Sequence, residues 1–226
     1  MTMLARIRLL QMASQAFPIG GYSHSFGLEA AIDSGSVRDE HSVRRWIADV
    51  LTFSMGAYEI PVLCDMDRAW NAQDCIALSR LNVEFLASRE SAELRSATVQ
   101  MGFSMRKLLA VLPDLPEFLS NALRSMEEPS LPCVWSGAAW AWGVPPPEST
   151  AAYLWSWAEN QVLVAMKSVP IGQSSGQRVL LEIGESIARL AERAVSCGEH
   201  LRSNFAPGLA ILCSQHETQY SRLFRS

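Results

Sequence analysis

His216, Glu217 and Tyr220 stand close together near the end of the chain, and all three types can move protons. An enzyme built on them would use them as acid and base groups and would need a deep pocket beside this segment. They do not form a His-Glu-x-x-His zinc motif, because Tyr220 occupies the place of the second histidine. No two of the four histidines (His24, His41, His200, His216) stand three or four apart, so their spacing specifies no metal site. Ser23 and His24 are neighbours, but no acid partner is specified and no Gly-x-Ser-x-Gly elbow occurs. Gly172-Gln173-Ser174-Ser175-Gly176 lacks the lysine of a phosphate-binding loop, so nothing points to a bound nucleotide or other cofactor.

The last seven residues instead suggest recognition. Tyr220, Arg222, Leu223, Phe224 and Arg225 crowd into a terminus, where polar and poorly ordered residues are the rule. Aromatics and arginines are enriched at interface hot spots. This segment therefore docks, either on its own core or on a partner. Arg222 and Arg225 suit bidentate contacts to carboxylates or salt bridges at a helix end.

Composition narrows the class. With 226 residues, one domain is the simplest organisation. Apolar residues make up 49% and charged residues only 19%, which leaves little charge to cover the surface. The net charge of −4 and the lack of a basic cluster argue against nucleic acid as a partner. The most apolar windows, Cys133–Val144 and Gln161–Val169, are shorter than the ~20 residues of a bilayer span. Nothing near Met1 reads as a signal peptide, so a cytoplasmic location is expected. The five cysteines (Cys64, Cys75, Cys133, Cys197, Cys213) are odd in number and widely spaced, which suits buried thiols better than a disulfide framework.

The elements that must position these residues are helices. Leu94, Ala97, Met101, Met105, Leu108 and Leu112 recur at helical steps, as do Leu180, Ile183, Ile187, Leu190, Ala194, Cys197 and Leu201. Val43, Ile47, Val50 and Leu51 mark a helix capped by Asp39. Asp74 caps another that turns Leu78, Leu81 and Phe85 inward. Pro18-Ile19-Gly20-Gly21 is a loop. Pro113 and Pro116 end the helix begun near Glu90, and Pro129 and Pro132 bracket a further turn. Pro145-Pro146-Pro147 is a stiff connector, and Pro170-Ile171-Gly172 separates two helices. Pro61 should kink or break its helix. No period-two alternation occurs, so the fold expected is all-α, an irregular bundle of about nine or ten helices in one domain.

Five of the seven tryptophans fall between Trp135 and Trp157. They read as a core wall, with Trp135 and Trp142 facing outward if copies pair there. Glu29, early in a helix, and Lys167, late in one, both suit the helix dipole; both also suit a partner-facing surface.

Three stretches together resemble the UreF family of urease accessory proteins. They are Ala16-Phe17-Pro18-Ile19-Gly20-Gly21-Tyr22-Ser23-His24-Ser25-Phe26-Gly27-Leu28-Glu29, Glu159-Asn160 with Lys167-Ser168-Val169-Pro170-Ile171-Gly172-Gln173, and Ser203–Ala210 with the terminal His216–Ser226. The resemblance implies an all-α, dimeric chaperone that is not an enzyme. It implies an adaptor between UreD (UreH in some systems) and the GTPase UreG on apo-urease, where nickel is delivered with GTP hydrolysis. It also implies partner-contacting positions at Pro18, Gly20, Gly21, Tyr22, Ser23 and Glu29; at Lys167, Pro170, Gly172 and Gln173; and at His216, Glu217, Tyr220, Arg222, Phe224 and Arg225. On this reading the tail, residues 214–226, orders on UreD, and the loop and Lys167 face UreG or urease. An alternative is direct regulation of the partner's GTP hydrolysis, for which an arginine finger would need rigid presentation.

Overall fold

The computed structural model describes residues 1–194 and 202–226, and among them the chain is all-helical. The helices are α1 (Met3–Ala13), α2 (Leu28–Asp33), α3 (Glu40–Val50), α4 (Ile60–Asn71), α5 (Cys75–Ala87), α6 (Ala92–Val111), α7 (Glu117–Ser125), α8 (Leu131–Ala141), α9 (Pro146–Ser168), α10 (Gln173–Ala194) and α11 (Pro207–His216). Cys197 and Leu201, expected to continue the α10 stripe, lie outside the described residues, as do the Ala194 side chain and His200.

The caps act as their chemistry requires. Asp39 accepts from the Ser42 amide while Ser42 Oγ accepts from the Asp39 amide, a reciprocal capping box. Asp74 accepts from the amides of Ile76 and Ala77. Pro146 and Pro147 begin α9 itself instead of preceding it; a proline costs nothing in a first turn, where its missing N–H would be unpaired anyway.

Pro61 does not break its helix. A wide π segment, Leu51–Glu59, joins α3 to α4, so Glu40–Asn71 runs on as one 32-residue helix. The Ile60 amide reaches back five residues to the Met55 carbonyl. Pro61 has no N–H to offer, and the Ala57 carbonyl four residues back accepts instead from the Ser203 amide at 3.0 Å. That bond, with Asn204 Nδ2 on the Ser88 carbonyl at 2.6 Å, ties down the chain just before α11. By length and composition this long helix passes as a membrane span, but 67% of its apolar window is buried in the protein's own core.

The core sits around α4, α8 and α9. Trp70 is fully buried, stacks on Trp140, meets Phe118 edge-on and donates to Ser136 Oγ at 3.1 Å. Gly137 lets α8 approach it, since a Cβ there would lie 2.8 Å from the Trp70 ring. Trp135 does not face outward. It is 1% exposed, and its indole N–H donates to Ser149 Oγ at 3.1 Å. A buried indole needs such a partner, and the position of Ser149 in the first turn of α9 supplies it. Trp142 is half-buried beneath the Arg8 guanidinium.

One acid in this core lacks compensation. Asp67 is buried, its Oδ2 has no hydrogen-bond partner among the described residues, and burial pushes its pKa up to about 8 against the smaller effect of Arg68. A carboxyl raised in the folded state binds a proton more tightly there than in the unfolded chain. Its stability cost is absent below about pH 4 and grows as pH rises toward 8. Asp67→Asn should therefore be more stable than the parent at pH 8 by roughly 2–5 kcal/mol, with the two denaturation curves converging near pH 4. Parent stability that stays flat across this range would contradict the assignment.

Candidate functional site

The site begins with a loop that leaves α1 and turns twice through left-handed backbone. Gly20 (φ 78°) opens a single 3₁₀ turn, Gly21–Ser23, closed by Ser23 Oγ on the Gly20 carbonyl at 2.8 Å. Phe26 (φ 53°) and Gly27 (φ 83°) form the second turn, which launches α2. Gly27 fits for a further reason, as a Cβ there would come within 2.8 Å of Cys213 Sγ on α11. From α9, Asn160 Nδ2 donates to the His24 carbonyl (2.8 Å) and Gln161 Nε2 to the Ser25 carbonyl (3.1 Å). Two buried amides thus hold the loop from below.

The C-terminal segment docks on this loop. The amides of Leu223 and Phe224 donate to Glu29 at 2.6 and 3.1 Å, the Arg225 amide to the Ser23 carbonyl at 2.8 Å, and the Phe26 amide to the Ser226 main-chain oxygen at 2.9 Å. The Ser25 amide shares that oxygen. Phe224 is buried, with the Lys167 ammonium 5.5 Å above its ring, a cation–π distance. Burying such a ring contributes about 1.5–3 kcal/mol.

A charge cluster locks the arrangement. Glu29, 6% exposed, also faces His216 Nε2 at 3.0 Å. The other ring nitrogen of His216 meets Glu93 of α6 at 2.6 Å, and Glu93 takes Arg222 at 2.6 Å on its second oxygen. Glu217 accepts from the Glu93 amide at 3.2 Å. His24, at the loop's centre, is buried with Nδ1 2.9 Å from Ser226 Oγ. Burial first, and the Arg225 charge second, lower its pKa to about 4.

The structure thus joins Ser23, Glu29, His216, Glu217, Arg222, Phe224, Arg225 and Lys167. Tyr22, Tyr220 and the Arg225 side chain point to solvent beside them, as does Pro18. Pro170, Gly172 and Gln173 form the exposed α9–α10 link and, among the described residues, make no hydrogen bond to the tail. The acid–base trio does not assemble, because His216 is completely buried while Tyr220 is completely exposed. Beneath the loop lies a cavity of about 100 Å³ bordered by Tyr22, Met55, Trp135 and Asn160, and none of the trio lines it. Among the described residues no three His, Cys, Asp or Glu side chains are placed to hold a metal ion; Cys197 and His200, three apart, fall outside them.

Sequence reasoning missed Glu93, His24, Asn160 and Gln161 as members of this site. For Asn160-Gln161 a signal existed, two amides between Ala158 and Val162 on an otherwise apolar helix. Glu93 offered none, since only the packing of α6 against α11 gives it a role.

Two outcomes follow. Glu29→Ala removes the acceptor of the Leu223 and Phe224 amides and the partner of His216 Nε2. Because the tail can leave and rehydrate them, the loss should be local, with hydrogen exchange at Leu223 and Phe224 accelerated at least tenfold and the bundle intact by circular dichroism. Exchange unchanged from the parent would show that Glu29 does not hold the tail. His24, buried neutral, should make stability fall as pH drops from about 6.5 to about 4, by on the order of 3 kcal/mol. Acid titration of His24→Gln should lack that contribution.

Comparison with known proteins gives consistent matches. The family model described as UreF matches residues 37–184. A "Urease accessory protein UreF" of Dechloromonas aromatica is 52% identical over 226 residues, covering 100% of this chain and 99% of that protein. One of Azoarcus sp. is 49% identical over 227 residues (99% and 97%), and one of Methylobacillus flagellatus 44% over 220 residues (97% of each).

Proposed function

The chain belongs to the UreF family of urease accessory proteins, and from that premise we propose that it acts in urease maturation as a non-catalytic adaptor. It links UreD (UreH) to the GTPase UreG on apo-urease, where nickel is inserted as cargo. It works in the cytosol and as a homodimer. The observation that carries this reading is the convergence of loop, tail and α9 end into one face. That face exposes Tyr22, Lys167, Tyr220, Leu223 and Arg225 above a pinned backbone. Aromatic and arginine side chains on a rigid base lose little entropy on binding and suit a protein partner. Pro18, Gly20 and Gly21 shape its edge, and Pro170, Gly172 and Gln173 extend it along the α9–α10 link.

A second reading is favoured by one detail. The Arg225 main chain is fixed between two docked residues while its side chain reaches solvent. That is the rigid presentation an arginine finger needs, so direct regulation of GTP hydrolysis by UreG remains the competing role.

Size-exclusion chromatography with light scattering separates the two readings. Full-length chain mixed with cognate UreD should form a complex, and a chain ending at Ser214 should not. Arg225→Ala should weaken assembly at least tenfold with helical circular dichroism unchanged. Complex formation indifferent to truncation would sink the adaptor face as described. A rise in UreG turnover on mixing with this chain alone, lost in Arg225→Ala, would favour the regulator.

A further inference from the structure

The cavity of about 100 Å³ beneath the loop is unusual, because protein interiors hold few voids larger than a water molecule. Part of its wall is a helix that departs from α geometry. The π segment Leu51–Glu59 brings Ser54, Met55 and Glu59 to it, and π turns are rare and recur at functional sites. Ser54 and Glu59 stand five apart, a step that a π turn brings closer to one face than an α turn does. Met12 from α1, Met55 from the π segment and Met101 from α6 are all buried and all line the cavity, with Trp135 beside them. Methionine is unbranched and polarizable, so it adapts to varied apolar shapes.

The polar groups on the wall define what fits. Both oxygens of Glu59 are taken, one by Arg89 at 2.6 Å and the other by the Tyr153 hydroxyl at 3.0 Å. The Arg89 guanidinium lies 4.3 Å from the centroid of the Phe85 ring. This acid–base pair closes on itself, and Glu90 stands exposed at the mouth. An ion entering the cavity would lose its hydration without gaining a counter-charge. Two neutral residues keep hydrogen-bonding capacity unused, which is rare for buried groups. Asn160 donates from Nδ2 to the His24 carbonyl, but its buried Oδ1 has no partner among the described residues. Ser54 is 6% exposed, and among the described residues its hydroxyl makes no hydrogen bond.

We propose that this cavity is a binding site for a small neutral molecule, an apolar ring of phenol size that carries one hydroxyl. The ring meets the methionines and Trp135. The hydroxyl, which both donates and accepts, meets Ser54. An apolar cavity of ~150 Å³ takes up benzene; here the adaptable methionines and the open mouth at Ser14 and Tyr22 supply the further room. The bound molecule touches Phe17 and Phe26 on the underside of the loop.

The test uses full-length chain labelled with ¹³C at the methionine methyls and titrated with phenol at neutral pH. The Met12, Met55 and Met101 methyls should shift together and show nuclear Overhauser contacts to the ring. They should saturate with one dissociation constant on the order of 1 mM, within the range open to so small a ligand. The methyl of Met3, exposed on α1 and outside the cavity lining, should not move. Benzoate and benzylammonium, which put a charge on the same ring, should bind about tenfold more weakly or not at all. Ser54→Ala should weaken phenol by about threefold or more, with helical circular dichroism unchanged and toluene bound as in the parent. The proposal is overturned by any of four results: no saturation at the three methyls, a Met3 shift as large as theirs, charged rings bound as well as phenol, or phenol binding unchanged by Ser54→Ala. None of these readouts involves a partner, so the outcome stands apart from the adaptor reading.

Discussion

The buried carboxylate of Glu29 is the constraint on which the rest of the functional face depends. A charge removed from water must be matched by donors or by opposite charge, and here all of them come from the far end of the chain: two amides of the terminal segment and one histidine of α11. Glu29 and the terminus are therefore mutually obligatory. Without the tail, the acid keeps only His216 of α11 as a partner and must be rehydrated. Without the acid, the amides of Leu223 and Phe224 have lost their acceptor, and Phe224 loses the anchor that keeps it against the core.

Long-range ties make this possible. The π segment lets the long α3–α4 helix pass Pro61 and leaves the Ala57 carbonyl to the returning chain. That anchor starts α11 in the right place. The left-handed turn at Phe26–Gly27 then sets α2 against α11 with room for Cys213. Asn160 and Gln161 hold the loop's carbonyls from α9, so the loop presents its own amides upward to Ser226. Loop and tail thus form one layer, fastened below by amide side chains and at the rim by the run of polar contacts Glu29–His216–Glu93–Arg222. Surface ion pairs contribute little; here the completely buried His216 ring and the buried Glu29 anchor the inner end of the run, and Glu93 with Arg222 closes it at the partly exposed rim.

The sequence by itself determined the helical class, because apolar residues recur at three and four steps and prolines and glycines punctuate them, which local physics enforces. It placed the caps at Asp39 and Asp74, and through family resemblance it marked the two ends and the Lys167 region as partner-contacting, with the tail and the loop assigned to different partners rather than to each other. It misread what packing decides. The helix runs on through Pro61 after a π segment, and Pro146 and Pro147 are absorbed into a first turn, whereas the core-wall reading of Trp135 holds, with Ser149 satisfying its indole. Above all, composition marked the terminal segment as adhesive without saying to what. The tertiary structure placed it on the chain's own loop, because the acceptors it needs, Glu29 and Glu93, lie nearly two hundred and more than one hundred residues away in sequence, and no local pattern records a pairing made only when α2, α6 and α11 pack together.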